Sequence, residues 1–148
     1  MSENNSRLRT FRYSEIAVGA KHSHDYVITA ETRQHFLAAF EDRSPVHVDE
    51  DYAVARGFKG CVMHGAILNG FISHFIGMHF PGKYSLLLAV DLRFSNPSYL
   101  EDAIHLEMVV TQKLDTRSIV VLDATLTNTT QNYLAARARI QVMIKEDI

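Results

Sequence analysis

The sequence predicts an α+β fold in which one long apolar helix is covered by an antiparallel sheet. Three observations carry this. Residues 65–79 are apolar on most sides, so a helix there should be buried on most sides. Four later segments alternate with period two, the mark of strands with one buried face. Asn96-Pro97-Ser98, Asp115-Thr116-Arg117 and Asn128 to Asn132 supply the turns between them.

The elements follow in order. Residues 1–10 are polar and read as a disordered tail, with one domain over 11–148. Tyr26-Val27-Ile28 reads as a short strand. Thr29 or Ala30 opens a helix through Phe40, with Thr32 and Glu31 supplying early polar groups. Phe36, Leu37 and Phe40 recur at helical spacing and predict one buried face. Pro45 stops that helix and pushes Ser44 toward extended geometry, so Asp42 to Val48 is expected as a loop. Asp49 caps a second short helix over Glu50 to Arg56, and Gly57 ends it. Ala66, Gly70, Ser73 and Gly77 form a small-residue stripe that would let the long helix lie close to a sheet or partner helix. Leu86, Leu88, Val90, Leu92 and Phe94 begin the strands. Ile104 to Val110, Val120 to Leu126 and Leu134 to Ile144 continue them as a meander.

A chain of 148 residues suits a single core. The net charge of −2 gives no support for a nucleic-acid partner, which calls for a basic excess. The polar start lacks a secretory core, and one cysteine allows no intrachain disulfide, so a cytoplasmic setting is expected. Residues 61–80 approach the length of a membrane span, but three His, an Asn, a Ser and three Gly argue for a buried helix instead.

Chemistry concentrates in two motifs. Asp42 and His47 flank Pro45, and a carboxylate and an imidazole can share one water or one proton. His64-Gly65 opens the long helix, where a glycine offers a bare backbone N–H to an oxyanion. Elsewhere the signals are weaker. His22 and His24 would share a strand face, but no third ligand stands nearby, so no metal site is expected. Cys61 near His64 reads as a buried small residue rather than a nucleophile.

Asp42-x-x-Pro45-x-His47, then Asp49, Tyr52-Ala53 and His64-Gly65, together resemble the MaoC-like, (R)-specific enoyl-CoA hydratases. The resemblance covers residues 14–145 and implies a hot-dog fold, in which the sheet wraps the helix. It implies reversible hydration of trans-2-enoyl thioesters, on CoA or acyl carrier protein, to (R)-3-hydroxyacyl thioesters. Asp42 and His47 would activate water, and the Gly65 N–H would hold the thioester oxygen. Ser73 would support them as a family serine, and His64 would fill the turn beside them or polarise the substrate. No cofactor or metal is implied. Ser44 stands where the family often has asparagine. Two chains are expected to pair edge to edge, with the active site near the interface; higher oligomers are compatible. His79-Phe80-Pro81-Gly82 resembles the histidine motif of acyl-carrier-protein dehydratases, but it follows the helix instead of preceding it and is read as coincidental.

Two other functions compete. Hot-dog thioesterases often carry a catalytic acid on or beside the central helix, and residues 65–80 contain no Asp or Glu. A non-catalytic acyl-thioester-binding domain would have no use for Asp42, His47 and Gly65 together.

Overall fold

The structure, a computed structural model, describes residues 7–146. Its elements are β1 (Lys21–Val27), α1 (Ala30–Phe40), α2 (Pro45–Val48), α3 (Glu50–Ala55) and α4 (Gly65–His74). A π-helical turn, Phe75–His79, extends α4. Then come β2 (Ser85–Phe94), β3 (Ala103–Leu114), β4 (Ile119–Asn128) and β5 (Tyr133–Ile144). All five strands form one antiparallel sheet in the order β1-β3-β4-β5-β2. The sheet covers α4, which is the hot-dog architecture.

The core lies between α4 and the sheet. Ile67, Leu68, Ile72, Phe75 and Ile76 pack against Ile104, Leu106, Met108, Leu122, Leu126 and Ile140. Ile72 is 0% exposed and Phe75 1%. Burying each such side chain contributes about 1.5–3 kcal/mol relative to leaving it in water. The period-two expectation for β3 and β4 matches the burial, since Ile104, Leu106, Met108 and Val110, and Val120, Leu122, Ala124 and Leu126, all face the core.

Five expectations need correction. The four later strands are not a simple meander. Only β3, β4 and β5 follow one another, while β2 pairs with β5 and occupies the sheet edge. The first strand starts at Lys21 rather than Tyr26, because its inner face carries His22, His24 and Tyr26 instead of aliphatic residues. Residues 42–48 are not all loop, since Pro45 occupies the first helical position of α2, where its missing N–H costs nothing. Phe40 is 70% exposed, so the buried face of α1 is Leu37 with half-buried Phe36. Finally, α4 is buried on its sheet side only, and Ala66, Asn69, Gly70, Ser73 and His74 are exposed.

The capping expectations agree with the structure. The Thr29 side chain accepts from Thr32 N–H at 3.1 Å, and Asp49 from Tyr52 N–H at 3.0 Å. Gly57, at φ 89°, ends α3 in a backbone conformation that L side chains rarely adopt. Of the expected tail, residues 1–6 lie outside the described residues. Arg9 and Thr10 are held, because Arg9 N–H donates to the Met78 carbonyl at 2.9 Å and Thr10 bridges Gly82. No helix among the described residues is long and apolar enough to cross a membrane.

Candidate active site

Helix α1 ends at Phe40, and Glu41 adopts a left-handed conformation that turns the chain sharply. Asp42 follows at once. Its Oδ1 accepts from the Ser44 backbone N–H at 3.2 Å, a local turn that any residue at 44 could complete. The loop is therefore held through main chain at the position where Ser44 replaces the usual asparagine. Pro45 then starts α2 and presents His47 half-buried one turn later.

The segment before α4 meets this turn from the other side. Val62 N–H donates to the Val46 carbonyl at 2.9 Å, and Met63 N–H to the Ser98 carbonyl at 2.8 Å. The loop carrying Ser98 is organised by Asp102, 2% exposed. Its carboxylate accepts from Tyr99 N–H, Asn128 Nδ2 and Gln131 Nε2 at 2.8, 2.6 and 2.9 Å. A buried carboxylate with three donors is a satisfied one, and it fixes the position of His64 at second hand.

Asp42, His47 and His64 converge. An oxygen of the carboxylate and a ring nitrogen from each imidazole lie within 4.8 Å of one another. His47 Nδ1 is 2.7 Å from the Val62 carbonyl. A carbonyl only accepts, so Nδ1–H donates and Nε2 of the neutral ring is left with a lone pair. His64 is 3% exposed, and its Nε2–H donates to the Asp42 main-chain carbonyl at 2.8 Å. Its ring stands between His47, at 4.0 Å between centroids, and Phe36, at 4.5 Å. His64 Nδ1 is buried with no hydrogen-bond partner. A divalent cation could also be accommodated by three such groups. However, His47 Nδ1 and His64 Nε2 already donate to carbonyls, and the remaining His64 nitrogen is sealed from solvent.

Gly65 opens α4 beside these groups, where first-turn N–H groups have no carbonyl four residues back. The space that its missing Cβ would fill is occupied: a Cβ there would lie 2.7 Å from Cζ of Phe94 on β2. Glycine at 65 thus permits close approach of the Phe94 ring, a reason the sequence alone did not offer. Ser73 lies two turns further along α4, on the wall of an open cavity, and makes no side-chain hydrogen bond to Asp42 or His47 among the described residues. The structure thus unites Asp42, His47, His64 and Gly65 and leaves Ser73 apart from them.

That cavity, of about 900 Å³, runs between α1, β1 and α4. Phe36, Phe40 and Ala66 line it next to the Asp42 turn, and His24, Tyr26, His74 and His79 line it elsewhere. Sequence reasoning missed this second group. Its visible signals were the His22 and His24 strand face, set aside for want of a third ligand, and the His79-Phe80-Pro81-Gly82 motif, read as coincidental. Cys61, expected to be buried, is half-buried, and partial burial with the nearby Glu50 pushes its thiol up, away from the thiolate that a nucleophile needs.

Comparison with known proteins points one way. The family model described as MaoC like domain matches residues 14–132. The chain is 32% identical over 87 residues to an (R)-specific enoyl-CoA hydratase of Aeromonas caviae, a match covering 59% of this chain and 65% of that one, just under two thirds. It is 29% identical over 107 residues to an (R)-specific enoyl-CoA hydratase of Rhodospirillum rubrum, covering 72% and 74%. Among solved structures it resembles the R-hydratase PhaJ1 from Pseudomonas aeruginosa. The TM-score is 0.85 and the identity 29%, over 95% of this chain and 89% of that one.

Proposed function

The chain belongs to the MaoC-like domain family, and from that premise we propose that it is an (R)-specific enoyl-thioester hydratase, with Asp42 and His47 as its catalytic pair. The observation that carries the reading is the convergence of Asp42 and His47 within 4.8 Å beside the first turn of α4. One water, with two hydrogen bonds of about 2.8 Å, spans such a gap. Asp42 takes a proton from that water while its oxygen attacks C3, and the proton is returned to C2 on the same face. His47 Nε2 is the second anchor, held in that tautomer by its Nδ1–H bond to Val62. The enolate that develops on the thioester oxygen is met by the Gly65 N–H at the positive end of α4. A preorganised donor of this kind contributes about 3 kcal/mol. His64 acts as a positioning residue, fixing the Asp42 backbone from a buried site. Ser73 is a supporting residue of the cavity wall.

The substrate is a trans-2-enoyl thioester on CoA or acyl carrier protein, and no metal or other cofactor takes part. Homodimerisation in the cytoplasm belongs to the same reading. The sheet edge at β2 exposes Leu86, Leu87, Leu88 and Phe94, the last of which touches the Gly65 position.

The test is hydration of crotonyl-CoA by purified protein. Wild type should turn over, and Asp42→Asn and His47→Ala should each lose about 10²–10⁴ in kcat, the scale of an acid–base group. Folded variants that both retain near-normal turnover would overturn the assignment.

A further inference from the structure

We propose that the end of the cavity lined by His24, His74 and His79 recognises a carboxylate at the far end of the acyl chain, so that the preferred substrates are ω-carboxylated enoyl thioesters. This rests on the hydratase reading and names its substrate class.

The cavity changes character along its length. At the end of α1 and the start of α4 it is lined by the apolar Phe36, Ala39, Phe40, Ala66 and Ile67, and the Phe36 ring there lies 4.5 Å from that of His64. Along α4 it reaches His74, eight residues past Ala66, a rise of about 12 Å. There three imidazoles gather. His24 stacks on His79 at 4.1 Å between ring centroids. His74 lies 5.2 Å from His79 and 6.3 Å from His24. Tyr26 OH and His74 Nδ1 are 3.0 Å apart, which fixes the His74 ring. His79 Nε2 is buried and has no hydrogen-bond partner. The π-helical turn makes this grouping possible, because Phe80 N–H donates to the Phe75 carbonyl five residues back. That wider winding brings residues 74 and 79 toward one side.

Charge selects the ligand. The ionisable groups lining the cavity are His24, Asp25 and Tyr26 from β1, His35 from α1, and His74 and His79 from α4 and its extension; behind them His22 stacks on Phe80, and Arg9 acts on His22 and His79. Among the described residues the one carboxylate lining the cavity, Asp25, is engaged at 2.6 Å by His105 Nδ1. Partial desolvation lowers the affinity of His74 and His79 for protons, and the neighbouring His24 lowers it further. A carboxylate supplies the counter-charge that these imidazoles lack, so its arrival draws protons onto them. An uncharged alkyl terminus offers these imidazoles no such counter-charge.

The experiment compares two trans-2-enoyl-CoA thioesters of equal length, one ending in a carboxylate and one in a methyl group. Wild type is expected to favour the carboxylated thioester by about tenfold to a hundredfold in kcat/KM, the scale of a hydrogen bond to a charged group. His79→Leu should collapse that ratio, and His79→Gln, which keeps a polar side chain, should retain part of it. Calorimetry of the saturated ω-carboxyacyl-CoA in buffers of different ionisation enthalpy should show proton uptake, absent with the methyl-terminated ligand. A wild-type preference for the methyl-terminated thioester overturns the proposal. So does equal loss on both substrates in His79→Leu, which would assign the imidazoles to the CoA moiety or to folding. If neither thioester is hydrated, the hydratase reading fails, and calorimetry alone decides: proton-linked binding of the carboxylated ligand supports the recognition and its absence sinks it.

Discussion

Gly65 poses the sharpest question at the scale of single residues, because Phe94 fills the space beside it. Alanine is well tolerated at a helix start, and the Phe94 ring is the end of a side chain 56% exposed. Gly65→Ala should therefore fold. It should lower kcat/KM at least about tenfold, or ~1.4 kcal/mol of transition-state stabilisation, because the methyl group either crowds the thioester beside the Gly65 N–H or displaces the Phe94 ring. Adding Phe94→Ala separates the two causes. If the added methyl obstructs substrate, the loss persists in the double variant. Recovery of full activity would show that Gly65 serves only to admit the Phe94 ring. At this scale the sequence was informative wherever chemistry and spacing coincide: Asp42, His47, His64 and Gly65 were all legible and do converge. The tautomer of His47 was not, since it depends on a carbonyl fifteen residues away at Val62.

The elements show where local patterns lose their meaning. Pro45 was read as a helix breaker, yet α1 already ends at Phe40 with the left-handed Glu41, and the fixed φ of Pro45 suits the first position of α2. Strand β1 was half-missed because imidazoles fill its inner face. They are partly covered there by stacking, His22 on Phe80 at 3.8 Å and His24 on His79 at 4.1 Å, contacts between distant segments that no alternation rule reveals. The stacking has a consequence for stability. Partial desolvation holds His22, His74 and His79 below the ordinary value of 6.5. Below that pH the unfolded chain takes up protons that the native imidazoles refuse. Their contribution is thus fully present above pH 6.5 and is lost as pH falls through the native values. The urea midpoint should drop between about pH 7.5 and about pH 5, and drop less in the triple variant with Leu at positions 22, 74 and 79. An identical drop in both proteins would place the acid sensitivity elsewhere.

For the whole molecule, the long-range order of strands was the least legible feature. Four alternating segments in a row read as a meander, but β2 crosses to the far side and pairs with β5, leaving an edge with four exposed large apolar residues. An apolar edge with unpaired N–H and C=O groups invites a second chain, and a twofold pairing closes it. Light scattering at micromolar concentration should give twice the 16.8 kDa chain mass, and Leu86→Lys with Leu87→Lys should shift it toward one chain. A wild-type protein of single-chain mass would refute the pairing. The central claim is that Asp42 and His47 deliver one water to one face of the enoyl thioester. Chiral analysis of the product of crotonyl-CoA hydration tests it most directly: the account predicts (R)-3-hydroxybutyryl-CoA alone, and formation of the (S) product would contradict it.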